Sequence, residues 1–453
     1  MSDVAAPRGE AAPRGEAGSR GQVAALVRAG VVVTVANVAV NALAYLVPLV
    51  AARRLPADEW GALATVLALL AIATVPGLGL QMAVAVARAR GGSPARTGRL
   101  AALTAALSGA AVLAATPLLV TALHLPALAA VLLAGVTVPV VLASRWLGEM
   151  QGTERFPRLA VGMVAVALAR YGGLTVALLA GAGALPALAA GVVVAWLAPP
   201  LLSWLGRSPT RTAITGDVPT RSAVTGHAPA GTAADGDGES AGRLRVREVF
   251  TATSATLAML AVSYADLILA RHLLTPDASG AYAVGAVLTR GAIWAPQVVT
   301  LLLLPRLAQR RRRTMSAGLA LVGGAGAALV LAAAVAPGLA VRLAGGAGYA
   351  GLARHAPWFA AVGALYAVAF FLLNARVAAG AARPAGPLWA GLGASAAVLL
   401  VLRPTTVGAV VAVALGVAGL VAAAMGLAAR RDLRSKPTSA EPEAAVPAAV
   451  TEP

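Results

Sequence analysis

Ala52-Arg53-Arg54-Leu55-Pro56-Ala57-Asp58-Glu59-Trp60-Gly61-Ala62-Leu63-Ala64 and Ala270-Arg271-His272-Leu273-Leu274-Thr275-Pro276-Asp277-Ala278-Ser279-Gly280-Ala281-Tyr282-Ala283 are two versions of one joint. Each opens on Ala-Arg, carries a proline and an acid, and ends on a glycine that starts an apolar run; one inserted residue brings them into line. Each joins one long apolar segment to another. The second apolar segment of each pair carries a proline at nearly the same distance past its glycine, Pro76 and Pro296. The pattern predicts a parallel internal repeat, two halves built alike.

Outward from these joints the chain alternates apolar runs with short polar gaps. Runs of about 20 apolar residues are transmembrane helices. They fall at roughly 29–51, 61–87, 100–123, 126–147, 159–181 and 184–205, and, past a long polar gap, at roughly 249–270, 279–304, 316–337, 355–378, 386–402 and 407–429. The expected fold is therefore all-α and polytopic, with about twelve transmembrane helices: an N-lobe at 29–206 and a C-lobe at 248–430. Composition agrees, since 12% charged residues is far below the quarter or so of a soluble domain. The absence of cysteine excludes disulfides and thiol chemistry. Abundant Ala, Gly and Arg beside a single lysine, Lys436, points to a high-GC bacterial gene.

Three segments lack the apolar content to offset the entropy of ordering and are expected to be disordered: the tails at 1–28 and 431–453, and a linker at 207–247. The linker holds a ten-residue duplication, Thr210–Pro219 followed by Thr220–Pro229, and its His227 has no companions for a metal site. Nothing apolar precedes a cleavage site near Met1, so no signal peptide is expected.

The net charge of +18 is explained by topology. With the N-terminus inside, 28 of the 36 basic residues lie on the cytoplasmic side, 6 outside and 2 within helices. That bias predicts a multi-pass protein of a bacterial plasma membrane with both termini cytoplasmic. The run Arg310–Arg313 then anchors the chain to anionic headgroups; no nucleic-acid role is expected.

Enzymatic signatures are absent: no H-E-x-x-H, G-x-S-x-G or P-loop occurs. The acids do not cluster as a transferase would need. Asp58 and Glu59 share one loop, Asp277 stands alone in the equivalent one, and Glu149 and Glu154 sit among Arg145, Arg155 and Arg158 as salt-bridge partners. Neither a cofactor nor a metal site is expected.

What remains is polar chemistry inside the helices. Arg170 and Arg290 fall near the middle of the fifth and eighth. A lipid-facing arginine at mid-depth costs at least about 2.5–3.5 kcal/mol, so both should face protein or water. They either form a cationic site for a phosphorylated substrate, which guanidinium matches bidentately, or pair with a carboxylate or helix-end carbonyls. Asp266 is the one acid well inside a helix; it pairs with Arg271 or Arg53, or binds a coupling cation. Asn37 and Asn41, four apart on one helix face, are candidate substrate contacts or interhelical hydrogen-bond groups; Gln81 and Gln297, each following an interrupting proline, are candidate substrate contacts.

Asp266, Gly280-Ala281-Tyr282 and Pro305, with Arg53-Arg54-Leu55 and Trp60-Gly61 in the first half, resemble the signature of bacterial polysaccharide and O-antigen flippases. These belong to the multidrug/oligosaccharidyl-lipid/polysaccharide exporter superfamily. The resemblance spans residues 29–429 and rests on short motifs. It implies two six-helix lobes related by a pseudo-twofold along the membrane normal, enclosing a central cavity that opens alternately to either side. It also implies an undecaprenyl-pyrophosphate-linked oligosaccharide as substrate, flipped outward for cell-surface polysaccharide biosynthesis, with Arg170 and Arg290 as its cationic cavity residues. Membrane lipids and glycan polymerase or ligase proteins would be its partners. The linker is longer than the family leads one to expect, and the extra helix pair of the lipid II flippase branch is absent. The rival expectations are a cation-coupled small-molecule exporter of the same superfamily and a transport-inactive scaffold for envelope assembly.

Overall fold

In this computed structural model the described residues are 14–89, 93–207, 236–294, 312–379, 381 and 383–434. Every regular element among them is helical. Ten helical stretches are long and apolar enough to cross a membrane, and Gly386–Leu402 is a shorter apolar helix. With Pro276–Trp294, which holds the described part of the eighth apolar run, they account for all the expected segments. The protein is a multi-pass membrane protein. Gln297, Pro296, Pro305 and most of the expected linker and tails lie outside the described residues.

The chain divides into two compact units, Met1–Thr253 and Ser254–Pro453. The first contains α1 (Arg14–Arg54), α2 (Ala57–Ala73), α3 (Val75–Ala89), α4 (Pro94–Ala114), α5 (Thr116–Leu123), α6 (Ala127–Gly152), α7 (Phe156–Leu179), α8 (Ala184–Ala195) and α9 (Ala198–Arg207). Helix α10 (Gly236–Leu273) leads into the second, which continues with α11 (Pro276–Trp294), α12 (Arg312–Val335), α13 (Pro337–Gly345), a 3-10 turn (Ala347–His355), α14 (Ala356–Ala378), α15 (Gly386–Leu402) and α16 (Val407–Arg434). Helices α1 and α10 begin at Arg14 and Gly236 rather than near 29 and 248. Once a helix is nucleated, each added residue gains a backbone bond whatever its polarity, so polar flanks prolong the apolar cores.

The two joints share one hydrogen-bond pattern. Leu55 N–H donates to Ala51 C=O and Leu274 N–H to Ala270 C=O, both at 2.9 Å. Trp60 N–H donates to Pro56 C=O at 2.9 Å, and Ser279 N–H to Thr275 C=O at 2.8 Å. This register matches Leu55 with Leu274, Asp58 with Asp277 and Gly61 with Gly280 without the inserted residue that the sequence alignment needed. Trp60 and Ser279 are both buried, as are Leu63 and Tyr282.

Breaks within the apolar runs occur at prolines, which lack an N–H and clash with the preceding turn. The run containing Pro76 parts at Thr74, whose hydroxyl donates back to Leu70 C=O at 2.8 Å. The third run parts at Ala115 ahead of Pro117, and its counterpart in the second unit parts at Ala336 ahead of Pro337.

Each unit is built on its fourth transmembrane segment, α6 in one and α14 in the other. Helix α6 packs on α3, α4, α8 and α9, and α14 on α11, α12 and α16. The contacts depend on small residues, as membrane helix packing requires. A Cβ at Gly148 or Gly152 of α6 would strike the backbone of Gln81 or Ala85 on α3. In the second unit a Cβ at Gly363 of α14 would strike the Thr289 carbonyl, and one at Gly285 of α11 would enter the Phe359 ring. The end of α14 is tied by Arg376, whose Nε donates to Asp432 at 2.7 Å and whose Nη1 donates to Pro384 C=O at 2.9 Å.

Candidate functional site

The α10–α11 hairpin places the last turns of α10 beside the first turns of α11. Asp266 and Tyr282 meet there. The Tyr282 hydroxyl donates to Asp266 Oδ2 at 2.7 Å, and the Leu267 N–H donates to Oδ1 at 2.9 Å. Asp266 is 4% exposed and Tyr282 0%, so both carboxylate oxygens are engaged within the protein, away from lipid. The edge of the Tyr282 ring meets Phe359 of α14 at 5.1 Å between centroids. The adjoining Thr289 hydroxyl donates to Phe359 C=O at 3.0 Å. Tyr366, buried two turns further along the same face of α14, stacks on Phe370 at 5.9 Å and lies close enough to act electrostatically on Asp266.

Arg290 follows Thr289 and reaches back toward α10. Its guanidinium carbon lies 3.4 Å from the centroid of the Tyr264 ring. It acts electrostatically on Asp266, yet among the described residues it forms neither a hydrogen bond nor an ion pair. The site thus holds an acid that accepts one hydrogen bond on each oxygen and a cation whose N–H edges meet no acceptor among the described residues. Of the partners expected for Asp266, the two hydrogen-bond donors described are instead Tyr282 and Leu267.

In the first unit Arg170 lies mid-helix on α7 and is half-buried. Its Cζ is 5.0 Å from the Tyr171 ring centroid, and its Nε is buried with no hydrogen-bond partner among the described residues. Asn37 and Asn41 are half-buried on α1, which packs along α7. Neither amide makes a side-chain hydrogen bond among the described residues. Gln81 differs: its Nε2 donates to Gln151 Oε1 at 3.0 Å, bridging α3 to the end of α6. The structure thus groups Arg290 with Asp266, and places Arg170 and the two asparagines on one helix pair.

The sequence reading named Tyr282 only as part of a motif and passed over Tyr264 and Tyr366. Three of the chain's six tyrosines, Tyr264, Tyr282 and Tyr366, converge on Asp266 and Arg290. A tyrosine inside an apolar run was the available signal, because a buried tyrosine needs a partner for its hydroxyl. Glu59 also proves structural: its Oε2 accepts the Ala184 N–H at 2.9 Å and caps α8. Glu149 pairs with Arg145 at 2.9 Å, as expected. Among the described residues no group of three or more His, Cys, Asp or Glu could hold a metal.

The Asp266 bond sets a stability expectation. Tyr282→Phe removes a donor from a buried acid and should cost about 1.5–3 kcal/mol, read as a lower melting temperature in detergent. Asp266→Asn keeps an acceptor for the Tyr282 hydroxyl and should cost less.

No family model and no curated protein sequence matches the chain. Solved structures do. An inward-facing multidrug resistance MATE family transporter of the MOP superfamily aligns with TM-score 0.60 and 13% identity, over 87% of this chain and 94% of the other. The lipid II flippase MurJ, in an inward closed conformation, aligns with TM-score 0.59 and 10% identity over 89% of each chain. The eukaryotic MATE transporter AtDTX14 aligns with TM-score 0.54 and 12% identity, over 90% of this chain and 97% of the other. The chain shares the fold of these transporters.

Proposed function

We propose that the protein is an alternating-access transporter that flips an undecaprenyl-pyrophosphate-linked oligosaccharide from the cytoplasmic to the outer leaflet of a bacterial plasma membrane. The carrying observation is the state of Arg290: an intramembrane guanidinium whose N–H edges have no partner among the described residues. A cation at that depth is costly unless it serves a ligand, and guanidinium is matched to phosphate oxygens. The buried, partnerless Arg170 Nε in the other unit gives the same support. Asn37 and Asn41 would add donors for the headgroup. A likeness to a lipid II flippase, and not to exporters alone, supports a lipid substrate.

In this reading both termini are cytoplasmic and the isoprenoid tail stays in lipid while the headgroup crosses. Negative charge moving outward through an inside-negative potential gains about 2.3 kcal/mol per charge per 100 mV, so the step needs no ATP. Glycan polymerase or ligase proteins would take the product.

A second reading, a cation-coupled small-molecule exporter, draws on the buried Asp266 with its three tyrosines. The two separate in proteoliposomes holding a fluorescent undecaprenyl-pyrophosphate oligosaccharide, with leaflet exposure followed by a membrane-impermeant quencher. The parent should flip the lipid, and Arg170→Ala should slow it about tenfold, the worth of one charge-assisted hydrogen bond. Absence of flipping together with gradient-driven efflux of organic cations, lost in Asp266→Asn, would select the exporter.

A further inference from the structure

We infer that Tyr264 is the positioning residue of the C-terminal cationic site: its ring face holds the Arg290 guanidinium flat, with the N–H edges left open to the phosphate oxygens of an isoprenoid pyrophosphate. The inference rests on the function proposed above and specifies how that site takes its anion.

The geometry has three parts. The Arg290 Cζ lies 3.4 Å from the Tyr264 centroid, which is direct stacking on the ring, where the negative face of the π-system attracts a cation. A ring face stabilises the charge without consuming an N–H donor, whereas a carboxylate partner would occupy two in a bidentate pair. Among the described residues Arg290 makes no ion pair or hydrogen bond with the nearby Asp266, whose oxygens accept from Tyr282 O–H at 2.7 Å and Leu267 N–H at 2.9 Å. Tyr264 therefore supplies position. The cation is kept in the membrane at reduced cost, and its planar fork is oriented in advance, so less entropy is lost when a diphosphate docks. Arg170 has a looser arrangement, its ring at 5.0 Å belonging to the adjacent Tyr171.

The test is calorimetric titration of the full-length detergent-solubilised protein with farnesyl pyrophosphate, with farnesol as the uncharged control. Tyr264→Leu should weaken farnesyl pyrophosphate binding about five- to thirtyfold, the range of a desolvated cation–π contact. Tyr264→Phe, which keeps the ring face, should restore it to within about twofold of the parent. Farnesol binding should be the same in all variants, which a general packing defect would not allow. Should Tyr264→Leu fail to fold, Tyr264→Met carries the same expectation. Loss of binding in Arg290→Ala with no loss in Tyr264→Leu would overturn the positioning role and leave the proposed function standing. Equal weakening by Tyr264→Phe and Tyr264→Leu would also overturn it, since the hydroxyl would then be the active feature. Parent-like binding in Arg290→Ala would overturn both this inference and the assignment of Arg290 to the substrate.

Discussion

Arg290→Gln should lower the flipping rate of a pyrophosphate-linked glycan about ten- to a hundredfold, the equivalent of about 1.5–3 kcal/mol for a lost hydrogen bond to a charged group. The substitution keeps a polar side chain, two bonds shorter, and removes the charge and the planar fork. Its structural cost should be small, because among the described residues the guanidinium makes no hydrogen bond or ion pair that the amide must replace. The hydrogen bonds that hold Asp266 come from Tyr282 and Leu267 and survive the change. Transport and stability should therefore part company, with the melting temperature shifting by a few degrees at most while flipping collapses. Arg290→Lys should fall between, since an ammonium keeps the charge and loses the bidentate geometry. A large fall in melting temperature accompanying the loss of transport would instead mark Arg290 as a packing element.

Gly363→Leu should prevent the second unit from assembling. Helices α11 and α14 approach so closely that a Cβ at Gly363 meets the Thr289 carbonyl, and the reciprocal notch at Gly285 receives the Phe359 ring. A carbonyl in a helix cannot swing aside as a side chain can, so the helices must separate. Overpacking of this kind costs about 3 kcal/mol or more. The displaced element is the one that carries Tyr282, Thr289 and Arg290, so the site is lost along with the packing. The expected result is little or no monodisperse protein after detergent extraction. Gly393→Leu and Gly416→Leu are the controls: nothing lies within 4 Å of a Cβ at either position, and both variants should behave as the parent does.

The transmembrane architecture was legible because the hydrocarbon solvent imposes it. Apolar runs near 20 residues can satisfy their backbone in lipid only as helices, and the expected segments all have described helical counterparts. The repeat was legible in the two joints, though not its register. The inserted residue was an artefact of matching Arg53 to Arg271; the backbone bonds instead match Leu55 to Leu274. The break at Pro76 was legible for the same local reason that any helical proline is, whereas the matching breaks before Pro117 and Pro337 were overlooked.

The site was legible only in part. Arg290 and Asp266 stood out as charges in apolar surroundings. What the sequence could not supply was which side chains of the α10–α11 hairpin face one another, Arg290 over Tyr264 and Tyr282 against Asp266. Those contacts join residues on different helices, where periodicity along one helix carries no information. The same holds for Gln81, whose Nε2 donates to Gln151 across the α3–α6 contact.

The central claim is that a diphosphate is what the intramembrane arginines recognise, and the carrier lipid tests it most directly. One fluorescent oligosaccharide would be mounted on undecaprenyl pyrophosphate and, separately, on the uncharged polyprenol, and the flipping of each measured in the same proteoliposomes. Translocation of the pyrophosphate-linked glycan at least about tenfold faster than the neutral one, with the difference erased in Arg290→Gln, is the predicted result. Equal rates for the two carriers in the parent protein would contradict it.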